Sequence, residues 1–175
     1  RWLACVGGLA LAAVPRLAPA QPSLLDPNLA VRGVVSGLNQ PIGMAFLGPN
    51  DFLVIEKASG QVKRCVSGVV TTVVLDLPVN SASERGLLSI ALDPGFPGNP
   101  YVYAYWSESS TGADSTVLGD TSLLGNRVDR FVWDASAQTL TFDQTLIRLR
   151  AYQADANQPP RGNHDGGVIR FGPDG

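Results

Sequence analysis

One pattern recurs along this chain and limits what it can fold into. Gly43-Met44-Ala45-Phe46-Leu47-Gly48-Pro49-Asn50-Asp51 reads as glycine, a short apolar run, then a turn built on proline. Gly86-Leu87-Leu88-Ser89-Ile90-Ala91-Leu92-Asp93-Pro94-Gly95 repeats it, and Gly166-Gly167-Val168-Ile169-Arg170-Phe171-Gly172-Pro173-Asp174-Gly175 opens it a third time. Pro49 and Pro94 lie 45 residues apart, the length of one four-stranded blade of a β-propeller, and Pro94 and Pro173 lie 79 apart. Two polar loops, Ser107 to Gly125 and Ala151 to Gly162, account for the longer interval. A β-sandwich would also give short strands, but it would not repeat this unit.

The segments between the repeats also have β character. Val31–Val35, Phe52–Glu56, Gln61–Val66 and Val69–Leu75 are predicted strands, separated by Ser59-Gly60 and Ser67-Gly68 turns. In the second copy, Tyr101–Trp106 is rich in aromatic residues with a β-branched Val102, Asn126–Trp133 resumes the β pattern, and Thr139–Arg150 gives the last strands. Nineteen glycines and thirteen prolines agree with many short strands and turns rather than long helices. The expected fold class is all-β: a six-bladed β-propeller in the full-length protein, of which this chain holds the first two blades and the start of the third. Such a piece does not close a ring, and repeat arrays draw stability from neighbouring repeats.

The expected organisation is a signal peptide over residues 1–20, an extended entry segment over 21–30, and a partial propeller over 31–175. Trp2 to Val14 is apolar and uncharged, and Ala18-Pro19-Ala20 is a small-x-small cleavage pattern. A buried or anchoring N-terminal helix is the alternative for that run. With a signal peptide the protein is exported, to the periplasm or the exterior, and the mature chain has no membrane span. Cys65 is then the only mature cysteine, read as a small buried side chain. The strand that should follow the last turn signal is missing, so the chain reads as an N-terminal fragment.

The formal charge is −2 with no basic cluster, so nucleic-acid binding has no electrostatic footprint. One histidine, one mature cysteine and scattered acids do not make a zinc site. His164, the only histidine, stands before the two glycines of the third copy. It is a candidate general base because its ordinary pKa lies near neutrality, and a capping histidine is the alternative. Asn163 and Asp165 flank it as orienting or turn residues. Glu84 and Arg85 occupy the corresponding place before the second copy, so a radial arrangement brings them beside His164; a surface ion pair is the alternative for them.

Two motifs also carry a family resemblance. Glu84-Arg85-Gly86-Leu87-Leu88-Ser89-Ile90-Ala91-Leu92-Asp93-Pro94-Gly95-Phe96 with Asn99-Pro100-Tyr101-Val102-Tyr103, and Asn163-His164-Asp165-Gly166-Gly167 with Phe171-Gly172-Pro173-Asp174-Gly175, resemble the soluble pyrroloquinoline-quinone-dependent sugar dehydrogenases, the glucose/sorbosone dehydrogenase family. Gly37-Leu38, Pro41-Ile42-Gly43-Met44-Ala45-Phe46 and Glu56-Lys57 are similar to its first blade.

The resemblance implies an enzyme that oxidises a sugar or related alcohol by hydride transfer to pyrroloquinoline quinone (PQQ), with an external electron acceptor. His164 would be the base, and Glu84, Arg85 and Asn163 would lie at the cofactor. Calcium would be bound by ligands beyond Gly175, and the fragment alone would be inactive. Sugar-oxidising members carry glutamine where this chain has Glu84, whose charge would weaken binding of an anionic cofactor unless Arg85 or another cation compensates. Some members have aspartate where Asn163 stands. Proteins similar to the Hedgehog-interacting protein use the same propeller as a non-catalytic binding module, which is the alternative function. A lactonase-type propeller hydrolase would need a carboxylate-rich metal site that the sequence does not display.

Overall fold

The computed structural model describes residues 24–152 and 164–174. The expected signal peptide and Asn163 lie outside these residues. The chain divides into two units, residues 1–33 and 34–175. In the first, the described residues hold a turn in which the Asp26 side chain and carbonyl accept the Asn28 and Leu29 N–H groups.

The second unit contains eight strands among the described residues. They are β1 (Pro41–Gly48), β2 (Asp51–Glu56), β3 (Gln61–Val66), β4 (Val69–Asp76), β5 (Leu87–Leu92), β6 (Tyr101–Ser107), β7 (Asn126–Asp134) and β8 (Thr139–Leu149). They form two four-stranded antiparallel sheets, in the orders β1-β2-β3-β4 and β5-β6-β7-β8. The first strands of the two sheets, β1 and β5, lie together, and so do the last, β4 and β8. Like strand therefore meets like strand, which is the relation of adjacent propeller blades.

Turn chemistry sets the strand ends. Asn50, Ser67 and Gln138 take positive φ at hairpin turns, and the Asp134 carboxylate accepts the N–H groups of Ser136 and Ala137. The core lies between the sheets. Leu53, Ile55, Val62 and Val74 of the first meet Leu87, Ile90, Trp106, Phe131 and Trp133 of the second. On the other face of the first sheet, Phe52, Val54 and Cys65 pack under Val35, Leu38 and Val70. Cys65 is a buried free thiol, and burial raises its pKa, opposed by nearby Lys63. Ile42, Met44 and Phe46 of β1 and Leu146, Ile147 and Leu149 of β8 remain exposed, Phe46 to 65%.

Three segments differ from the sequence reading. Residues 31–35 form no strand; Val35 instead helps cover the Phe52 cluster. Thr139–Leu149 is one long strand rather than several, because the register slips at Val128/Asp129 and Arg130/Phe131 let β8 bend without breaking. Residues 168–171 carry no strand, since no ladder partner lies beside them among the described residues. They still run along the second sheet: the Ile169 N–H donates to Ser89 Oγ at 3.2 Å, and Phe171 packs edge-on against Tyr103.

The polar loop between β6 and β7 is folded rather than slack. It bridges back to the β4–β5 connection through Val79–Glu108 and Asn80–Ser115 pairs. Asn80 is wholly buried; its amide donates to the carbonyls of Val117 and Asp120, both at 2.9 Å, and its oxygen accepts the Ala82 N–H. Both amide donors of the asparagine are thereby used, so one buried side chain holds the Val117–Asp120 part of the loop against the β4–β5 connection.

Candidate functional site

The site forms where β5 enters the second sheet. The N–H of Leu87 donates to the Lys57 carbonyl, and Gly86 has a φ of 135°. A Cβ on Gly86 would lie 2.3 Å from the Lys57 carbonyl oxygen, so only glycine lets the two chains approach this closely. The Lys57 ammonium donates to the Ser83 carbonyl at 3.0 Å. These contacts fix the Ser83–Arg85 connection on which Glu84 is carried.

Glu84 and His164 meet there. The His164 backbone N–H donates to Glu84 Oε2 at 2.6 Å, joining residues 80 positions apart, and both residues are exposed. His164 has a φ of 62°, sparsely populated for a residue with a side chain. Gly167, with a φ of 141°, presses its backbone onto Leu88 and the Tyr105 ring, where a Cβ would lie 2.9 Å and 3.2 Å from their nearest carbons. The histidine thus stands on a sharply bent backbone bound to the sheet at both ends.

Arg85 turns the other way. Its side chain has no exposed surface, and Nη1 donates to Asn80 Oδ1 at 3.2 Å and to the Leu118 carbonyl at 2.9 Å. Nε faces Asp165 Oδ2 at 3.9 Å, beyond hydrogen-bond range, and among the described residues Nε, Nη2 and Oδ2 have no hydrogen-bond partner. Tyr152 stacks over the guanidinium. Burial lowers the Arg85 pKa from its ordinary value, while the Asp165 carboxylate and Tyr152 oppose that shift. Its charge is therefore directed at Asp165, not at Glu84.

Asp165 is buried and closes the cluster. Its Oδ1 accepts from Asn126 Nδ2 at 2.9 Å, and its carbonyl accepts the Tyr105 hydroxyl. Asn126 also donates to the Arg150 carbonyl and accepts from Ser107 Oγ at 2.5 Å. Burial, and then the nearby Asp165 carboxylate, raises the Tyr105 pKa.

The structure therefore brings three of the sequence candidates together: Glu84 and His164 at the surface, with Arg85 directly beneath. Asn163 is outside the described residues. Sequence reasoning missed Asn80, Tyr105 and Asn126 and weighed Asp165 only as a turn or orienting residue. The one available signal was Tyr105, a tyrosine in a buried strand whose hydroxyl needs a partner. Among the described residues no group of three or more His, Cys, Asp or Glu side chains could hold a metal ion. Also among them, no helix is long and apolar enough to cross a membrane.

Quinoprotein glucose dehydrogenase B of Acinetobacter calcoaceticus is 27% identical over 151 residues, which is 84% of this chain and 29% of that protein. The PQQ-bound form of aldose sugar dehydrogenase from Streptomyces coelicolor superposes with a TM-score of 0.60 at 29% identity, covering 82% of this chain and 38% of that one. The apo form of the soluble aldose sugar dehydrogenase of Escherichia coli, at 22% identity and a TM-score of 0.58, shares the fold over 80% of this chain and 37% of its own. The chain thus spans about a third of the length of these relatives. The glucose/sorbosone dehydrogenase family model matches residues 38–175, and the chain belongs to that family.

Proposed function

We propose that this chain supplies the first two blades and the start of the third in an exported quinone-dependent dehydrogenase. The enzyme would oxidise a sugar or related alcohol by hydride transfer to pyrroloquinoline quinone, with His164 as general base. The observation that carries this reading is the bond from the His164 backbone N–H to Glu84, which brings two exposed residues, a histidine and a glutamate, to one place in the fold.

The residues present fit one side of such a site. His164 is free to face a ligand because its backbone, not its ring, makes the bond to Glu84. Glu84 and Asn163 would hold the quinone, with calcium bound by residues outside this chain. When bound, the quinone supplies the two-electron acceptor. The imidazole takes the proton from the sugar hydroxyl, which makes the carbon a better hydride donor. Glu84 holds the His164 backbone in its strained conformation. Arg85 acts from below, through Asp165, rather than by touching the cofactor.

One observation favours a second reading, a non-catalytic propeller that binds a partner. Arg85 faces inward, so its charge does not offset Glu84 where an anionic cofactor would sit. The discriminating experiment uses the complete polypeptide reconstituted with the quinone and calcium, assayed on sugars with a dye acceptor. His164→Ala should lower turnover by roughly two to four orders of magnitude. Absence of sugar oxidation in the unaltered protein, together with retained quinone-independent folding, would favour the binding module.

A further inference from the structure

The two dipeptides Glu84-Arg85 and His164-Asp165 are matched member to member across the same contact. The outer members meet at the surface, where Glu84 accepts the His164 N–H. The inner members meet in the interior, where Arg85 Nε faces Asp165 Oδ2 at 3.9 Å, with side chains 0% and 2% exposed. Among the described residues the inner contact leaves donors and an acceptor without hydrogen bonds, although both charges are removed from water. A buried pair of this kind contributes little net stability compared with apolar packing. What it contributes is direction. At low local dielectric a carboxylate has one favourable place beside a fixed guanidinium.

That guanidinium is fixed. Asn80 and the Leu118 carbonyl hold Nη1, and Asn80 is itself anchored to Val117 and Asp120. Asn126 and Tyr105 hold two further polar atoms of Asp165, one on its side chain and one on its carbonyl. Any displacement of Asp165 is transmitted directly to His164, because the two share a peptide bond and His164 already sits at a positive φ.

We propose that Asp165, clamped among Arg85, Asn126 and Tyr105, is a positioning residue that fixes the backbone presenting His164 to its ligand. This rests on the reading of His164 as the base. It gives Arg85 and Asp165 a role in the geometry of the reaction although neither reaches the surface where the reaction occurs.

The test uses the complete polypeptide and two readouts, one of them independent of the cofactor. Asp165→Asn keeps the shape and the Asn126 contact but removes the charge facing Arg85. In the cofactor-free protein, amide exchange at His164 should quicken by about tenfold, while exchange in β5 to β8 stays unchanged. In the reconstituted enzyme, kcat should fall by about 10- to 100-fold with KM for the sugar within about threefold, the signature of a misplaced group rather than a lost binding contact. If Asp165→Asn does not fold, Tyr105→Phe removes only the donor to the Asp165 carbonyl and should quicken the same amide, by a smaller factor. Unchanged exchange at His164 overturns the proposal. So does a uniform rise in exchange across the second sheet, which would make the cluster merely structural. If His164→Ala were as active as the unaltered protein, the reading of the base would fail, while the amide readout would still decide whether Asp165 sets the backbone.

Discussion

Both sheets bury a carboxylate at the end where their second strand stops, and the two are held differently. Glu56, the last residue of β2, is 1% exposed and accepts from the Asn39 N–H at 2.6 Å, Ser59 Oγ at 2.8 Å and Lys63 Nζ at 2.8 Å. Asp165 comes from a segment outside the second sheet and reaches in beside the end of β6. One of its oxygens is bonded, and the other faces Arg85 without a hydrogen bond. The first carboxylate is satisfied by its own blade and closes that blade's rim. The second joins a later segment to an earlier blade and leaves part of its hydrogen-bonding capacity unused. Full satisfaction suits a carboxylate that holds structure, and the unused capacity of the second, at a rim bearing an exposed histidine, is what the proposed positioning role of Asp165 draws on.

The sharpest way to break this comparison is to remove the satisfied carboxylate. Glu56→Ala strands the Lys63 ammonium and the Asn39 N–H together. Losing one member of a buried pair costs about 3–5 kcal/mol, and Lys63 is partly exposed, so a value near 3 kcal/mol is expected in denaturant unfolding of the complete protein. The His164 amide should exchange as before. Coupled loss at both rims would mean that the two carboxylates belong to one network and that the contrast between them is wrong.

A smaller effect is expected at the support beneath Arg85. Asn80→Leu keeps the branching at Cγ but removes both loop anchors and one Arg85 acceptor, a loss of about 1–3 kcal/mol. Its distinguishing sign is local: amide protection should fall in residues 108–125 and at His164, and stay level around Glu56. If the loop kept its protection, Asn80 would not be what holds Arg85 in place.

These contrasts were only partly legible in the sequence, for physical reasons. Strand positions were legible because period-two alternation and turn residues are local; β3 runs from Gln61 to Val66 as the sequence indicates. Segments 31–35 and 168–171 have the same local signal, but a strand also needs a ladder partner, which local sequence does not encode. The meeting of Glu84 with His164 was legible because equivalent positions in successive repeats share a rim. The inward turn of Arg85 was not, since adjacent residues in a tight connection can face surface or interior and only packing decides. Asn80 and Asn126 gave no signal, because a polar residue in a polar stretch looks the same whether buried or solvated.

The smallest effect expected is the pH dependence that Glu56 gives the fold. Burial alone would raise the Glu56 pKa, but the hydrogen bonds from Lys63, Asn39 and Ser59, with the lysine's charge, outweigh it and leave the pKa below its ordinary value of 4.5. A carboxyl whose folded pKa is depressed binds protons more readily when unfolded. Its contribution is therefore complete above 4.5 and is lost as the pH falls through the lower folded value. Unfolding free energy measured from pH 6 downward should decline from about pH 4.5, and Glu56→Gln should flatten that part of the decline. If Glu56→Gln left the decline as steep as before, Glu56 would not be the carboxylate whose ionisation the structure depends on.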